Sequence, residues 1–329
     1  MRAFVTGGAG YIGSHVCKAL VSQGHEVLIY DNLSTGHREL ARYGQFVHGD
    51  ILDTQKLREN FHRYEPDVVI HFAALSCVGE SVTNPGKYFR NNVGGTLSLL
   101  EAMRDERIGS IVVSGTSAVY GQPECVPVSE SEALKPISPY GETKLAMEQM
   151  LADFAIAHNL KWTSLRYFNA AGSDPEGELG ELHMPETHLV PRVIMAAMGI
   201  LPEIGIYGDD YPTEDGTCIR DYIHVDDLAR AHILAADRLL KGGESIALNL
   251  GTRRGASVRE IISKIQKISG NNISCKIMPR RAGDPPLLVA DASRARKVLG
   301  WEAEKNIDQI LTDAWNFLSS RMAFLERSV

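Results

Sequence analysis

The chain reads as an α/β protein: a doubly wound parallel sheet, followed by a second, smaller α/β unit. Short, almost continuously apolar runs alternate with amphipathic stretches through the first half of the sequence, the pattern of strands covered by helices on both faces. A glycine cluster, "TGGAGYIG" (6–13), joins the first run to the first helical pattern. Beyond residue 170 the alternation gives way to loop-rich sequence.

In order, strands are expected at "AFVT" (3–6), "EVLIYD" (26–31), "QFVHGD" (45–50), "DVVIHFA" (67–73), "SIVVSG" (110–115) and "KWTSLRYF" (161–168). Helical periodicity falls between them, near 12–23, 54–63, 87–105 and 140–158. This order predicts ligands outside the carboxyl ends of the strands. "AAGSDPEGELGELHMPETH" then reads as a long loop rich in Gly, Pro and acidic residues. Helices near 189–199, 257–268 and 307–320 and strands at 203–208 and 274–278 form the smaller unit. "HVDDLARAHILAADRLL" followed by "SIALNLGT" has the texture of one more helix–strand pair of the main sheet. The expected division is therefore 1–169 plus about 224–252 for a dinucleotide-binding domain, and 170–223 plus about 253–329 for a substrate domain.

Bulk composition narrows the function classes. The 329 residues are 44% hydrophobic and 23% charged, enough for a large core in one large domain and a smaller one. A net charge of −7 without a long Lys/Arg run disfavours nucleic acid or an anionic membrane as the main partner. Five scattered cysteines without a Cys-x-x-Cys spacing argue against a disulfide framework and a zinc site, and no metal is expected. With a strand from the second residue and no apolar stretch of about 18 residues, neither a signal peptide nor a membrane helix is expected. The expected location is the cytoplasm.

The glycine joint contains Gly7-x-x-Gly10-x-x-Gly13, after a strand and at the start of a helix. Such glycines permit a tight turn, admit a pyrophosphate to backbone N–H groups, and let helix and sheet pack closely. The second strand ends in Asp31, about 20 residues further on, where an acid holds ribose hydroxyls. An acid there repels a 2′-phosphate, so NAD is favoured over NADP. Asp50, after the third strand, falls where adenine would lie.

"SPYGETK" (138–144) sets Tyr140 and Lys144 four apart at a helix start, on one face. An ammonium beside a phenol favours the phenolate and lowers the Tyr pKa, making Tyr140 a candidate general base. Ser114 and Thr116 end the fifth strand, where a hydroxyl can relay the proton of a reacting alcohol.

Together, Gly7-x-x-Gly10-x-x-Gly13, Asp31, Thr116 and Tyr140-x-x-x-Lys144 resemble the extended short-chain dehydrogenase/reductase family, whose large domain is a Rossmann fold. "YDNLSTG" (30–36), "GDILD" (49–53), "HFAA" (71–74), "NNVGGT" (91–96), "LRYFNAAG" (165–172), "YPTEDGTCIRDYIHV" (211–225) and "RRAGDP" (280–285) narrow the resemblance to its UDP-hexose 4-epimerase branch, over nearly the whole chain.

The resemblance implies that Tyr11 and Ile12 meet the NAD pyrophosphate and that Asp31, Asn32, Ser34 and Thr35 surround the adenosine ribose. It places Asp50 and Ile51 at adenine, with Phe72, Ala73, Ala74, Ser76, Asn91 and Ser114 also along the cofactor. Ser76 stands where the family often has Lys, which puts cofactor affinity in question. Lys144 would hold the nicotinamide ribose, with Phe168 near the nicotinamide. Tyr140 would be the base and Thr116 its hydroxyl partner, in place of the usual Ser. For the sugar nucleotide it implies Asn169, His188, Leu189, an edge strand Gly205, Ile206 and Tyr207 along uracil, Arg220 and Arg281 on the diphosphate, and Asp284 on the uridine ribose. Leu288 would wall the pocket around the sugar C2 substituent. The implied activity is interconversion of UDP-glucose and UDP-galactose through a transient 4-keto sugar, in a homodimer joined by a four-helix bundle from the helices at 87–105 and 140–158. Another UDP-sugar, N-acetylated or a pentose, stays open as substrate. A dehydratase is disfavoured because Ser117-Ala118 replaces the Asp-Glu pair that water elimination uses, and a non-catalytic NAD-binding regulator is disfavoured by retention of Thr116, Tyr140 and Lys144.

Overall fold

The computed structural model describes residues 1–281 and 284–328. Six strands follow the expected ones within about two residues at each end: β1 Arg2–Thr6, β2 Glu26–Asp31, β3 Gln45–His48, β4 Val68–His71, β5 Ser110–Ser114 and β6 Lys161–Tyr167. Four more follow in the chain: β7 Asn169–Ala171, β8 Ile204–Tyr207, β9 Ile219–His224 and β10 Ile246–Leu250. The last three are β11 Gly255–Ser257, β12 Cys275–Met278 and β13 Leu287–Leu288.

The main sheet runs β3-β2-β1-β4-β5-β6-β10, with every neighbouring pair parallel. β10, the "IALNL" strand, lies beside β6, so the chain returns to this sheet after leaving it. Alternate side chains of β1 serve opposite faces: Ala3 and Val5 join one core, Phe4 the other. Helices Tyr11–Ser22 and Val225–Leu240 cover the first face, and helices Thr54–Tyr64 and Gly95–Asp105 the second. Each fully buried aliphatic side chain there stabilises the fold by about 1.5–3 kcal/mol.

A separate core unites helices Leu189–Ala197, Val258–Ser269 and Ile307–Ser319 with β8. Between β7 and Leu189 no regular element forms, as the acidic loop sequence predicts.

Two expectations need correction. The region 87–105 is not one regular helix: Pro85–Tyr88 leads into a wider π turn, Phe89–Gly94, before the helix Gly95–Asp105. The wide turn carries the fully buried Asn92, which exchanges bonds with the Leu75 backbone (2.8 and 3.0 Å) and donates to Thr143 Oγ1 at 3.1 Å. Strand β9 was not expected, because Arg220, Asp221 and His224 break the apolar pattern of "IRDYIH". It organises a second sheet, paired with β7, β11 and β13.

Candidate active site

The glycine joint is explained partly by packing. A Cβ on Gly13 would stand 2.3 Å from the Gly7 carbonyl oxygen, and one on Gly7 (φ +72°) 2.6 Å from the Ala73 nitrogen. A Cβ on Gly10 would meet only the Gly7 oxygen, at 3.3 Å. Its outer side is open, and no side chain caps the helix that starts at Tyr11. The first N–H groups of that helix therefore remain for an anion. These features fit a dinucleotide pyrophosphate.

Asp31 is buried and closes the turn, accepting from Ala9 N at 3.0 Å and Leu33 N at 2.8 Å. Burial raises its pKa and those two N–H bonds oppose the rise. Asn32 donates to Asp50 Oδ2 at 2.9 Å, joining the ends of β2 and β3, with buried Ile51 behind. Ser34 and Thr35 are exposed beside them. Phe72, Ala73 and Ala74 line the exit of β4 half-buried, whereas Ser76 is exposed. Asn91 donates to Asn92 Oδ1 at 3.0 Å. Tyr11 is tied through its hydroxyl to the Gly172 carbonyl at 2.6 Å, and half-buried Ile12 packs on the sheet core.

The catalytic candidates come together at the end of β5. Ser138 caps the helix Pro139–His158 by accepting from Gly141 N at 3.2 Å. Gly141 lets that helix start press on the loop after β5, since a Cβ there would lie 2.7 Å from the Ala118 oxygen. Tyr140 is thereby brought beside the Thr116 hydroxyl, whose oxygen accepts from Ala118 N at 3.2 Å. Burial raises the Tyr140 pKa, and the Thr116 hydroxyl lowers it in part. The expected lowering by Lys144 is not what holds this phenol. Buried Lys144 donates instead to the Ser114 carbonyl at 3.0 Å, and burial brings its own pKa down to about 8 against the pull of Glu148. The Ser114 hydroxyl bonds to Tyr167.

Sequence reasoning missed the buried polar frame behind these groups. Arg166 makes a two-point pair with Glu148 and donates to the Tyr120 hydroxyl at 2.9 Å; Tyr120 in turn donates to Asn249 at 2.6 Å. The frame ties the catalytic helix to β6 and β10. A charged residue inside the apolar run "WTSLRYF", and an acid four after Lys144, are the signals that could have found it.

The sugar-nucleotide candidates sit on the second set of elements. Asn169 opens β7 and donates to the Asp221 carbonyl at 3.3 Å. His188 immediately precedes the helix that starts at Leu189 and its side chain does not cap it; burial disfavours its charge, but Glu181 and Glu186 outweigh that and raise its pKa well above the ordinary value. β8 pairs only with β12 among the described residues, which leaves one edge of Gly205–Tyr207 free, with Ile206 buried in the core. Arg220 donates to Asp284 and to the Ile219 carbonyl at 2.7 Å. The Arg281 guanidinium lies 4.0 Å from the centre of the Tyr207 ring. Leu288 is opposite Arg220 in the β13–β9 pair and packs with Phe168 against Val119, Tyr120 and Val128. Ala282 and Gly283, within the "RRAGDP" stretch, lie outside the described residues.

Residues 3–251 match the family model of the NAD dependent epimerase/dehydratase family. A curated relative from Rhizobium meliloti, a UDP-glucose 4-epimerase, is 49% identical over 96% of this chain and 97% of its own length. Among solved structures, the UDP-glucose 4-epimerase from Brucella ovis in complex with NAD superimposes with a TM-score of 0.95 at 53% identity, covering 96% of this chain and 98% of that one. The UDP-glucose-4-epimerase from Stenotrophomonas maltophila, with bound NAD and formylated UDP-arabinopyranose, gives 0.94 at 42% identity over 97% and 98%.

Proposed function

The chain belongs to the NAD dependent epimerase/dehydratase family, and from that membership and the site geometry we infer that it interconverts UDP-glucose and UDP-galactose by inversion at C4. The observation that carries the chemistry is the Thr116 hydroxyl beside Tyr140 at the end of β5, with Lys144 one turn along the same helix and held on the Ser114 carbonyl. NAD, when bound, supplies reversible hydride acceptance at the sugar C4. Gly7, Gly10, Tyr11, Ile12 and Gly13 would take its pyrophosphate, and Asp31, Asn32, Ser34 and Thr35, with Asp50 and Ile51, its adenosine. Phe72 to Ala74, Ser76, Asn91, Ser114, Lys144 and Phe168 would line the remainder.

Tyr140 takes the proton of the 4-OH. Thr116, its oxygen already engaged by Ala118 N, turns its own proton toward the phenol and stabilises the phenolate. Lys144, held on the Ser114 carbonyl, supplies positive charge on the same face of the helix. Inversion requires the 4-keto sugar to present its other face, so the diphosphate must stay anchored meanwhile. Arg220 and Arg281 are the anchors in this reading, with Asp284 on the ribose and Asn169, His188, Leu189 and the β8 edge completing the pocket. Conversion of UDP-galactose to UDP-glucose by purified chain, without added NAD, tests the reading; no conversion with NAD and substrate both bound would sink it.

The same proposal covers assembly and location. Exposed Phe89, Leu97 and Ile156 (87% exposed) lie on the segments expected to form a four-helix bundle, which supports a homodimer. A monomer mass by light scattering at micromolar concentration would refute it. Among the described residues no helix is long and apolar enough to cross a membrane. Five free cysteines favour the cytoplasm. The separate core of Leu189–Ala197 and its neighbours supports the two-domain division, with residues 170–223 and about 253–329 as the UDP-sugar domain.

A further inference from the structure

Just before the helix Leu189–Ala197, the loop sequence Glu181-x-His183-x-x-Glu186-x-His188 folds so that one ligand-type atom of each residue lies within 4.8 Å of the others. Both histidines present Nδ1 to the carboxylates. His188 Nδ1 is 2.9 Å from Glu181 Oε1 and 2.9 Å from Glu186 Oε1; His183 Nδ1 is 3.2 Å from Glu181 Oε1 and 3.6 Å from Glu186 Oε2. Zinc bonds of about 2.0–2.2 Å place tetrahedral donors about 3.3–3.6 Å apart; the two His183 separations are close to that range, and the two His188 contacts are shorter, at hydrogen-bond length.

Charge and hydrogen bonding single this cluster out. The side chains of Glu181 and Glu186 are 6% and 3% exposed, and among the described residues their ion-pair partners are only these two histidines. His183 Nδ1 is shut off from solvent and makes no hydrogen bond, although it faces carboxylate oxygens. The neighbouring acidic group, Asp174, Glu176 and Glu178, differs: Lys18 reaches all three at 2.6–2.8 Å. Among the described residues the only cations facing Glu181 and Glu186 are the two histidines themselves. One divalent ion would replace their two protons and leave the total charge unchanged.

We propose that Glu181, His183, Glu186 and His188 bind one divalent transition-metal ion, with the donor set of a closed zinc site. Four protein ligands leave no open position, which marks a structural ion rather than a catalytic one. Its place is the junction of the two halves of the site. The His183 ring stands edge-on to Tyr11, 6.5 Å between centres, and His188 immediately precedes the helix that starts at Leu189. The ion would pin this loop between the glycine joint and the substrate elements. The inference stands on the loop geometry and does not require the epimerase reading.

The test uses the full chain, stripped with a chelator and titrated with zinc chloride against a chromophoric competitor. One equivalent should bind, and cobalt(II) in its place should give the intense visible bands of a tetrahedral site. His183→Ala should weaken binding by more than the roughly 10–100-fold that loss of an outer-sphere partner costs. His62→Ala, at an exposed histidine, should bind as the parent does. Glu181→Gln serves if His183→Ala does not fold, and the cobalt spectrum of the parent decides independently of both. Absence of stoichiometric zinc, cobalt bands of a six-coordinate site, or unchanged affinity in folded His183→Ala would overturn the proposal.

Discussion

Thr116, Tyr140 and Lys144 are held by neutral partners at the end of one strand: a hydroxyl, a backbone N–H and a backbone carbonyl. Arg220, Arg281 and Asp284, on the second set of elements, are held by an ion pair and by a ring face. The first region keeps its ionisable groups out of water, where a small displacement costs much and geometry is rigid. The second carries charges whose partners a bound diphosphate can replace. In the proposed reading, the first region suits proton transfer and the second exchangeable binding.

The largest expected effect tests the buried character of the sheet region. His15, His71 and His232 are deep in it, and burial lowers their pKa values to about 4, 3 and 4. Unfolded histidine titrates near 6.5. Below that pH the unfolded chain takes up protons that the fold refuses, so the contribution of these three histidines is whole above about 6.5 and is lost on acidification toward 4. Each histidine contributes about 1.4 kcal/mol per pH unit in that window. Melting temperature measured from pH 6.5 down to 4.5 should drop; a flat profile over that window would contradict neutral burial.

Next in size is Tyr140→Phe, which removes the base and keeps the ring. Turnover should fall roughly 10²–10⁴-fold with little change in KM. Near-normal turnover would break the division of labour between the regions.

Arg220→Ala should do the reverse. Losing a charge-assisted hydrogen bond of about 1.5–3 kcal/mol raises KM roughly 10- to 150-fold, with kcat held within a few-fold. A fall confined to kcat would move Arg220 to the first region.

Leu288 sharpens the boundary itself, since it lies opposite Arg220 on β13 and packs beside Phe168. Overpacking costs about 1–3 kcal/mol, or roughly 5- to 150-fold discrimination against an N-acetyl group. Leu288→Ala should therefore raise the ratio of UDP-N-acetylglucosamine to UDP-glucose activity. Equal kcat/KM for both sugars in the unaltered chain would remove Leu288 from the wall.

By itself the sequence determined what depends on neighbours a few residues apart. Strand and helix periods, the Gly7-to-Gly13 joint, Asp31 at a strand end and the Tyr140–Lys144 spacing are all short-range, because each reflects backbone geometry within one element or one turn. Tertiary structure alone decided which partner each polar group meets. Lys144 turned to the Ser114 carbonyl, Asn92 came inward on a widened turn, and Glu148 found Arg166 in the core. Asp221 made β9 a strand that local pattern conceals: it is fully buried and accepts from Thr252, Arg253 and Ala290. A buried charge is stable only beside a specific partner, and those partners come from elements far apart in the chain, brought together when the sheets and their helices pack.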